Sequence, residues 1–168
     1  MDNIKDNQLL KEYDSEVTTL WTFPQRGNWA THSPKYRGNF APQIPRNLME
    51  MFSKERDYIL DPMVGAGTTL IEAKLLNRNA LGIDINPEAV KLSNDALDFD
   101  FENDCKQKAI LGNAKDLTNL KKNSIDLIII HPPYLDIVKY SGGKIKEDLS
   151  SNSGMEKFLN SIEIVANE

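Results

Sequence analysis

Cysteine is almost absent from the 168-residue chain: Cys105 is the only one. A single thiol excludes an internal disulfide and any clustered-cysteine zinc site. Long apolar runs are missing too. The longest, Leu127 to Ile130, is far too short to cross a bilayer, and the first residues lack the apolar stretch of a signal peptide, so a cytoplasmic location without membrane contact is expected. Cationic charge is in deficit, with a formal net charge of -5. A domain that grips duplex DNA alone usually carries a basic patch. Lys35, Arg37, Arg46, Lys139, Lys144 and Lys146 are the candidates for a local one. Internal repeats and low-complexity tracts are also absent.

Apolar residues at 40% and charged residues at 27% are ordinary for a globular domain with one core. The first twenty residues are polar and mixed in charge, and read as a weakly packed segment or frayed helix preceding a domain over 21–168. Trp21 to Pro45 is dense in aromatics and prolines, a composition that forbids a long regular element yet demands packing. Arg46 to Phe52 reads as a short helix with Leu48, Met49 and Phe52 on its apolar face.

From Asp57 onward short apolar strands alternate with helices. Strands are expected over 58–60, 80–84, 108–111 and 125–130, the last apolar throughout and so buried on both faces. Helices are expected over 68–77 and from Asn86-Pro87-Glu88 to about Leu97, where Asn caps, Pro opens the first turn and an acid follows. A short helix should lie between the third and fourth strands. A last helix over 154–167 places Met155, Phe158, Leu159, Ile162 and Val165 on one stripe. This order predicts an α/β fold with a Rossmann-like, doubly wound, mostly parallel sheet.

Three segments carry chemistry. Asp61-Pro62-Met63-Val64-Gly65-Ala66-Gly67-Thr68 joins a strand to a helix, and its two glycines let the backbone turn tightly beside a ligand. Leu70 stands where the dinucleotide fingerprint requires a third glycine, and the leading Asp61 suits a cationic or amino-bearing ligand better than a pyrophosphate. Asp84 ends the second strand, where a carboxylate can accept from both hydroxyls of a ribose. His131-Pro132-Pro133-Tyr134 follows the fourth strand. Two prolines fix the backbone and present rigid carbonyls to an –NH₂ group, the tyrosine offers a face for a flipped base, and neutral His131 can accept from the same amine. His32 reads as a packed histidine.

With these residues in place, the chain resembles the amino-methylating DNA methyltransferases of restriction–modification systems, which make N4-methylcytosine and N6-methyladenine. The family's Asp-Pro-Phe-x-Gly-x-Gly-Thr matches Asp61 to Thr68 with Met63 for Phe, and its catalytic Asp/Asn/Ser-Pro-Pro-aromatic matches His131 to Tyr134 with histidine in first place. The likeness covers about residues 21 to 160. It implies S-adenosyl-L-methionine as cofactor and no metal. Phe40, Pro42, Ile44, Met63 and the Gly65-Ala66-Gly67-Thr68 turn would line its methionine side, with Asp61 at its amino group. Asp84 would bind the ribose, Ile85 would lie against the adenine, and Asn113 and Ala114 would stand near the adenine amino group. His131, the Pro132 carbonyl, Pro133 and Tyr134 would hold a flipped DNA base, with cytosine N4 favoured over adenine N6 by the stretch from Leu135 to Ser141. Further strands are expected after Tyr134, so the resemblance also implies an incomplete domain without a target-recognition region, completed by a C-terminal chain or a recognition subunit. A noncatalytic cofactor-binding subunit, an enzyme acting on RNA or protein glutamine, and a nicotinamide oxidoreductase are the competing expectations.

Overall fold

The computed structural model describes residues 13–15 and 18–168. The expectation of a weakly packed or frayed N-terminal segment therefore falls largely outside the described residues. In chain order the elements are α1 (Gln43–Phe52), β1 (Tyr58–Asp61), α2 (Thr68–Leu75), β2 (Asn79–Asp84), α3 (Pro87–Ala96), β3 (Gln107–Leu111), β4 (Leu127–Ile128) and α4 (Met155–Ala166), with a 3-10 turn at Leu149–Ser151 before the last helix. The four strands form one parallel sheet in the order β3-β2-β1-β4. Strand order reverses beside β1, which is the Rossmann-like, doubly wound arrangement and creates a crevice at the carboxyl ends of β1 and β4.

Each crossover has a local cause. Asn86 caps α3, its side chain accepting from Glu88 N at 3.0 Å, while Pro87 opens the first turn. Gly67 turns into α2 at φ +84°, and a Cβ there would press on Ser93 Cα of α3 at 3.0 Å. On β2, Gly82 makes room for Val64, whose side chain would stand 2.6 Å from an added Cβ. The glycine-rich turn is thus locked onto β2, and Val64 N donating to the Ile83 carbonyl at 3.0 Å completes the lock.

The main core lies between the sheet and the helices after β1 and β2. Met49, Ile59, Leu70, Ala73 and Ile129 meet there, all buried. On the other face Leu60, Leu81 and Ile83 are covered by Leu117, Leu120 and Ile125 from the connection between β3 and β4. That connection is made of turns where a short helix was expected.

Four further expectations are corrected. First, α1 starts at Gln43, earlier than Arg46, because Pro45 falls in its first turn, where its missing N–H breaks no helical bond. Phe52, at its end, is exposed. Second, β4 is short and not buried on both faces: Ile128 is 56% exposed and Ile130 is exposed as well, because β4 is the edge of the described sheet and its second face is only partly covered. Third, α4 turns Phe158, Ile162 and Val165 partly inward, but Met155 and Leu159 face solvent. Fourth, Arg46 belongs to no surface patch. It is buried and paired.

The partner of Arg46 is Glu72 on α2, 0% exposed. One carboxylate oxygen accepts from Trp29 Nε1 at 2.7 Å and contacts His32 Nε2 at 2.6 Å; the other is ion-paired with Arg46 Nε at 2.8 Å. His32 is therefore a packed histidine. This one carboxylate fastens the aromatic N-terminal segment and α1 to the helix that follows the glycine turn. No helix among the described residues is long and apolar enough to cross a membrane.

Two outcomes follow from these buried acids. Glu72→Ala leaves a guanidinium, an indole N–H and an imidazole without their partner, and should lower the unfolding free energy by about 3–5 kcal/mol in a urea melt; Met51→Ala, an exposed site, should change it by less than about 0.5 kcal/mol. Asp61, 1% exposed, has its pKa raised by burial to about 7 against bonds from Thr69 Oγ1 at 2.5 Å and Met63 N at 3.1 Å that favour the carboxylate. The folded state thus holds this proton more tightly than the unfolded chain. Its contribution to stability is complete below about pH 4 and is lost as pH rises to about 7. Asp61→Asn should flatten the stability profile across that window; equal slopes in both proteins would refute the assignment.

Candidate functional site

The carboxyl ends of all four strands open into one cavity of about 780 Å3, counted with its mouth. Its floor is the turn after β1, where Met63, Gly65 and Ala66 line the space. Because β1 and β4 are neighbours, His131 and Pro133 stand on the same wall. Asp84 and Ile85 enter from β2, and Asn113 and Ala114 from β3. Phe40 closes the side toward the N-terminal segment, its ring centroid 5.1 Å from that of His131.

Eleven of the residues singled out in the sequence line this cavity: Phe40, Met63, Gly65, Ala66, Thr68, Asp84, Ile85, Asn113, Ala114, His131 and Pro133. Six others do not. Asp61 is sealed beneath the turn, 1% exposed, with its oxygens accepting from Thr69 Oγ1 and Met63 N, so it shapes the turn and does not face the cavity. Gly67 is the cap residue of α2. Pro42 is buried at the start of α1, and Ile44 is half-buried in its first turn, because the helix begins before the expected position. Pro132 is half-buried, between the lining residues His131 and Pro133. Tyr134 stands just outside with 64% of its surface exposed, and its hydroxyl lies 2.8 Å from His131 Nε2.

The electrostatics of the cavity are one-sided. Asp84 accepts from Gly65 N at 3.0 Å and from Asn86 N at 2.8 Å, and burial still pushes its pKa above the ordinary carboxylate value. Each of its oxygens keeps acceptor capacity for a hydroxyl. Glu147 and Asp148 also line the space, whereas no lysine or arginine does. Burial lowers the His131 pKa, favouring the neutral imidazole at neutral pH. A cavity so composed suits a ligand with positive charge and hydroxyls and disfavours a pyrophosphate.

Sequence reasoning missed the C-terminal wall. Tyr140 stacks on Tyr36 with ring centroids 5.8 Å apart and planes 17° from parallel, and its carbonyl accepts from Asn86 Nδ2 at 3.3 Å. Asp148 organises the same stretch, accepting from Ser141 N at 3.1 Å and from the Ser150 hydroxyl at 2.7 Å. The only hint of this wall in the sequence was the density of aromatics around Tyr36; nothing periodic marks 139–150.

Residues 1–95 match the family model described as DNA methylase. Among curated relatives, the chain is 37% identical over 92 residues to the type II methyltransferase M2.LlaDCHI of Lactococcus lactis subsp. cremoris, a match covering 51% of this chain and 33% of that protein. It is 36% identical over 100 residues to the type II methyltransferase M2.DpnII of Streptococcus pneumoniae, covering 56% and 36%. It is 47% identical over 71 residues to the type II methyltransferase M.HpaI of Haemophilus parainfluenzae, covering 40% and 23%. The chain thus spans about a third of the length of the first two. With the match running through the aromatic segment, the glycine turn and the acid of β2, this chain belongs to the DNA methylase family, whose cofactor is S-adenosylmethionine.

Proposed function

We propose that this chain provides the cofactor-binding and catalytic portion of an enzyme that methylates an exocyclic amino nitrogen of a DNA base, with cytosine N4 as the favoured target. The observation that carries this reading is the cavity itself: its ionic lining is acidic without a compensating cation, and His131-Pro132-Pro133-Tyr134 stands at its rim. An acidic lining fits a sulfonium with an ammonium group and does not fit a nicotinamide dinucleotide.

When bound, the cofactor supplies an electrophilic methyl group. Asp84 accepts from the ribose hydroxyls, Ile85 packs on the adenine, and Asn113 meets its amino edge. The backbone at Gly65 and Ala66, with Phe40 and Met63, borders the methionine part. Tyr134 presents its exposed ring to a base turned out of the duplex, where stacking offsets part of the cost of unpairing. The Pro132 carbonyl and His131 would hold the amine toward the cofactor's methyl group. Rate enhancement then arises from orientation and from stabilising positive charge on the nitrogen.

DNA contact is supported by exposed cations on two loops far apart in sequence. The Tyr36–Tyr140 stack draws together the loops carrying Lys35, Arg37, Lys139, Lys144 and Lys146, all exposed, beside the cavity. The free edge of β4, with Ile128 and Ile130 uncovered, supports a complementing C-terminal polypeptide that extends the sheet.

Asp84→Ala should weaken cofactor binding about 10- to 100-fold by calorimetry, as expected for losing charged hydrogen bonds. Tyr134→Ala should keep that affinity but lower methyl transfer to duplex DNA at least about tenfold. Nucleoside analysis of the product separates N4-methylcytosine from N6-methyladenine. Parent-like binding and transfer in both variants would remove the basis of the proposal.

A further inference from the structure

The position before the proline pair holds a group that the family's usual residues there do not supply: an imidazole that is neutral and basic near physiological pH. We propose that His131 accepts the proton released by the target amine during methyl transfer, with the Tyr134 hydroxyl setting the basicity of its Nε2. The inference rests on the amino-methylation reading above.

The geometry comes first. His131 lines the same cavity as Gly65 and Met63, brought beside their turn by the pairing of β4 with β1, so its ring borders the space proposed for amine and methyl group. Its Nε2 lies 2.8 Å from the Tyr134 hydroxyl, and the two rings are near perpendicular, at 81°. Pro132 and Pro133 separate the two residues and hold this spacing rigidly. Phe40 packs against the imidazole, ring centroids 5.1 Å apart, and offers no charge. A phenol donates more readily than it accepts, so the tautomer that fits has its proton on Nδ1 and a lone pair on Nε2. That lone pair is occupied by a weak acid until an amine N–H replaces it.

The titratable groups nearby are those of the cavity wall: Asp84 from β2, Tyr36 from the N-terminal segment, and Tyr140, Glu147 and Asp148 from the C-terminal wall, besides Tyr134 itself. None of them contributes to the shift of His131, which burial alone pushes down. The imidazole is therefore available as a base at pH 7, and no neighbouring carboxylate keeps it charged.

The step balances without any further reagent. The amine nitrogen bonds to the methyl carbon as the sulfur–methyl bond breaks with its electron pair going to sulfur. One N–H bond of the now cationic nitrogen breaks, its pair stays on nitrogen, and the proton passes to Nε2. The resulting imidazolium returns its proton to water through the open mouth. An Asn, Ser or carboxylate of ordinary pKa at this position can accept a hydrogen bond but holds no proton near neutral pH, so this chain gains a proton acceptor that those side chains lack.

Two measurements on the full chain test the assignment. Nitrogen-15 NMR of the imidazoles, with His131→Asn to identify the signal, should show the Nδ1–H tautomer titrating below the ordinary histidine value; Tyr134→Phe, which removes a donor that favours the neutral form, should move the midpoint upward. An Nε2–H tautomer, or a midpoint unmoved in Tyr134→Phe, overturns the pairing. Methyl transfer to duplex DNA at saturating cofactor, from about pH 5 to about pH 9, should fall tenfold per unit on the acid side of that midpoint. His131→Asn should abolish this limb and lower the plateau about 100-fold with cofactor affinity unchanged. A parent-like limb or plateau in His131→Asn refutes the proton acceptor while leaving amino-methylation standing; no transfer by the parent at any pH, with cofactor bound, refutes both.

Discussion

The parallel pairing of β1 with β4 is the constraint on which the rest depends. It is small, with Ile59 opposite Leu127 and Leu60 opposite Ile128, extended by Ile129 N donating to the Leu60 carbonyl at 2.9 Å. Those few bonds decide which loops are neighbours. Were β4 to add beside β3, the proline pair would open far from the glycine turn, and neither loop alone has a chemistry. The pairing is strengthened from the core side, where Ile129 and Leu127 pack with Ile59 and Leu70. Hydrophobic burial on one face of the sheet therefore brings two polar loops together at its end.

The same site shows how environment assigns different work to one residue type. Asp61 and Asp84 end adjacent strands, and both have raised pKa values because of burial. Asp61 is fully enclosed, and the Thr69 hydroxyl and Met63 N bond its oxygens inside the turn, away from the cavity. Asp84 is only partly buried, and its two backbone bonds hold the carboxylate facing the cavity with acceptor capacity to spare. Behind both, Glu72 is fully buried and serves the scaffold, anchoring Trp29 and Arg46 to α2. Exposure toward the cavity separates the cavity-facing acid from the structural ones.

What was legible in the sequence was local. The strand ends at Asp61 and Asp84, the Asn86-Pro87-Glu88 helix start and the loop at His131 were written in short-range chemistry: caps, glycines, prolines and a change of hydrophobic period. What was not legible depended on distance. The run Leu127 to Ile130 looks the same whether one or both faces are covered; periodicity reports apolarity, and only the described neighbours of β4 reveal that Ile128 and Ile130 are bare. Pro42, Ile44 and Asp61 do not line the cavity because packing, not motif order, set which side of the backbone each side chain took. The Tyr36–Tyr140 stack joins residues about a hundred positions apart, with aromatic density at one end and no periodic signal at the other.

Tyr134 shows how exposure and strain combine at the rim. A large aromatic ring left 64% exposed gains little from burial, so its position must be maintained by something else. On one side its hydroxyl meets His131 Nε2. On the other, Leu135 adopts φ +53°, a left-handed conformation that costs a branched side chain about 1–2 kcal/mol. The turn is held there by Leu135 N donating to the Pro133 carbonyl at 3.2 Å and Ile137 N donating to the Tyr134 carbonyl at 3.3 Å. Strain of this kind persists only where the surroundings over-determine the backbone. Here it bends the chain immediately after the tyrosine. The exposed ring thus stands between a rigid proline pair before it and a strained turn after it.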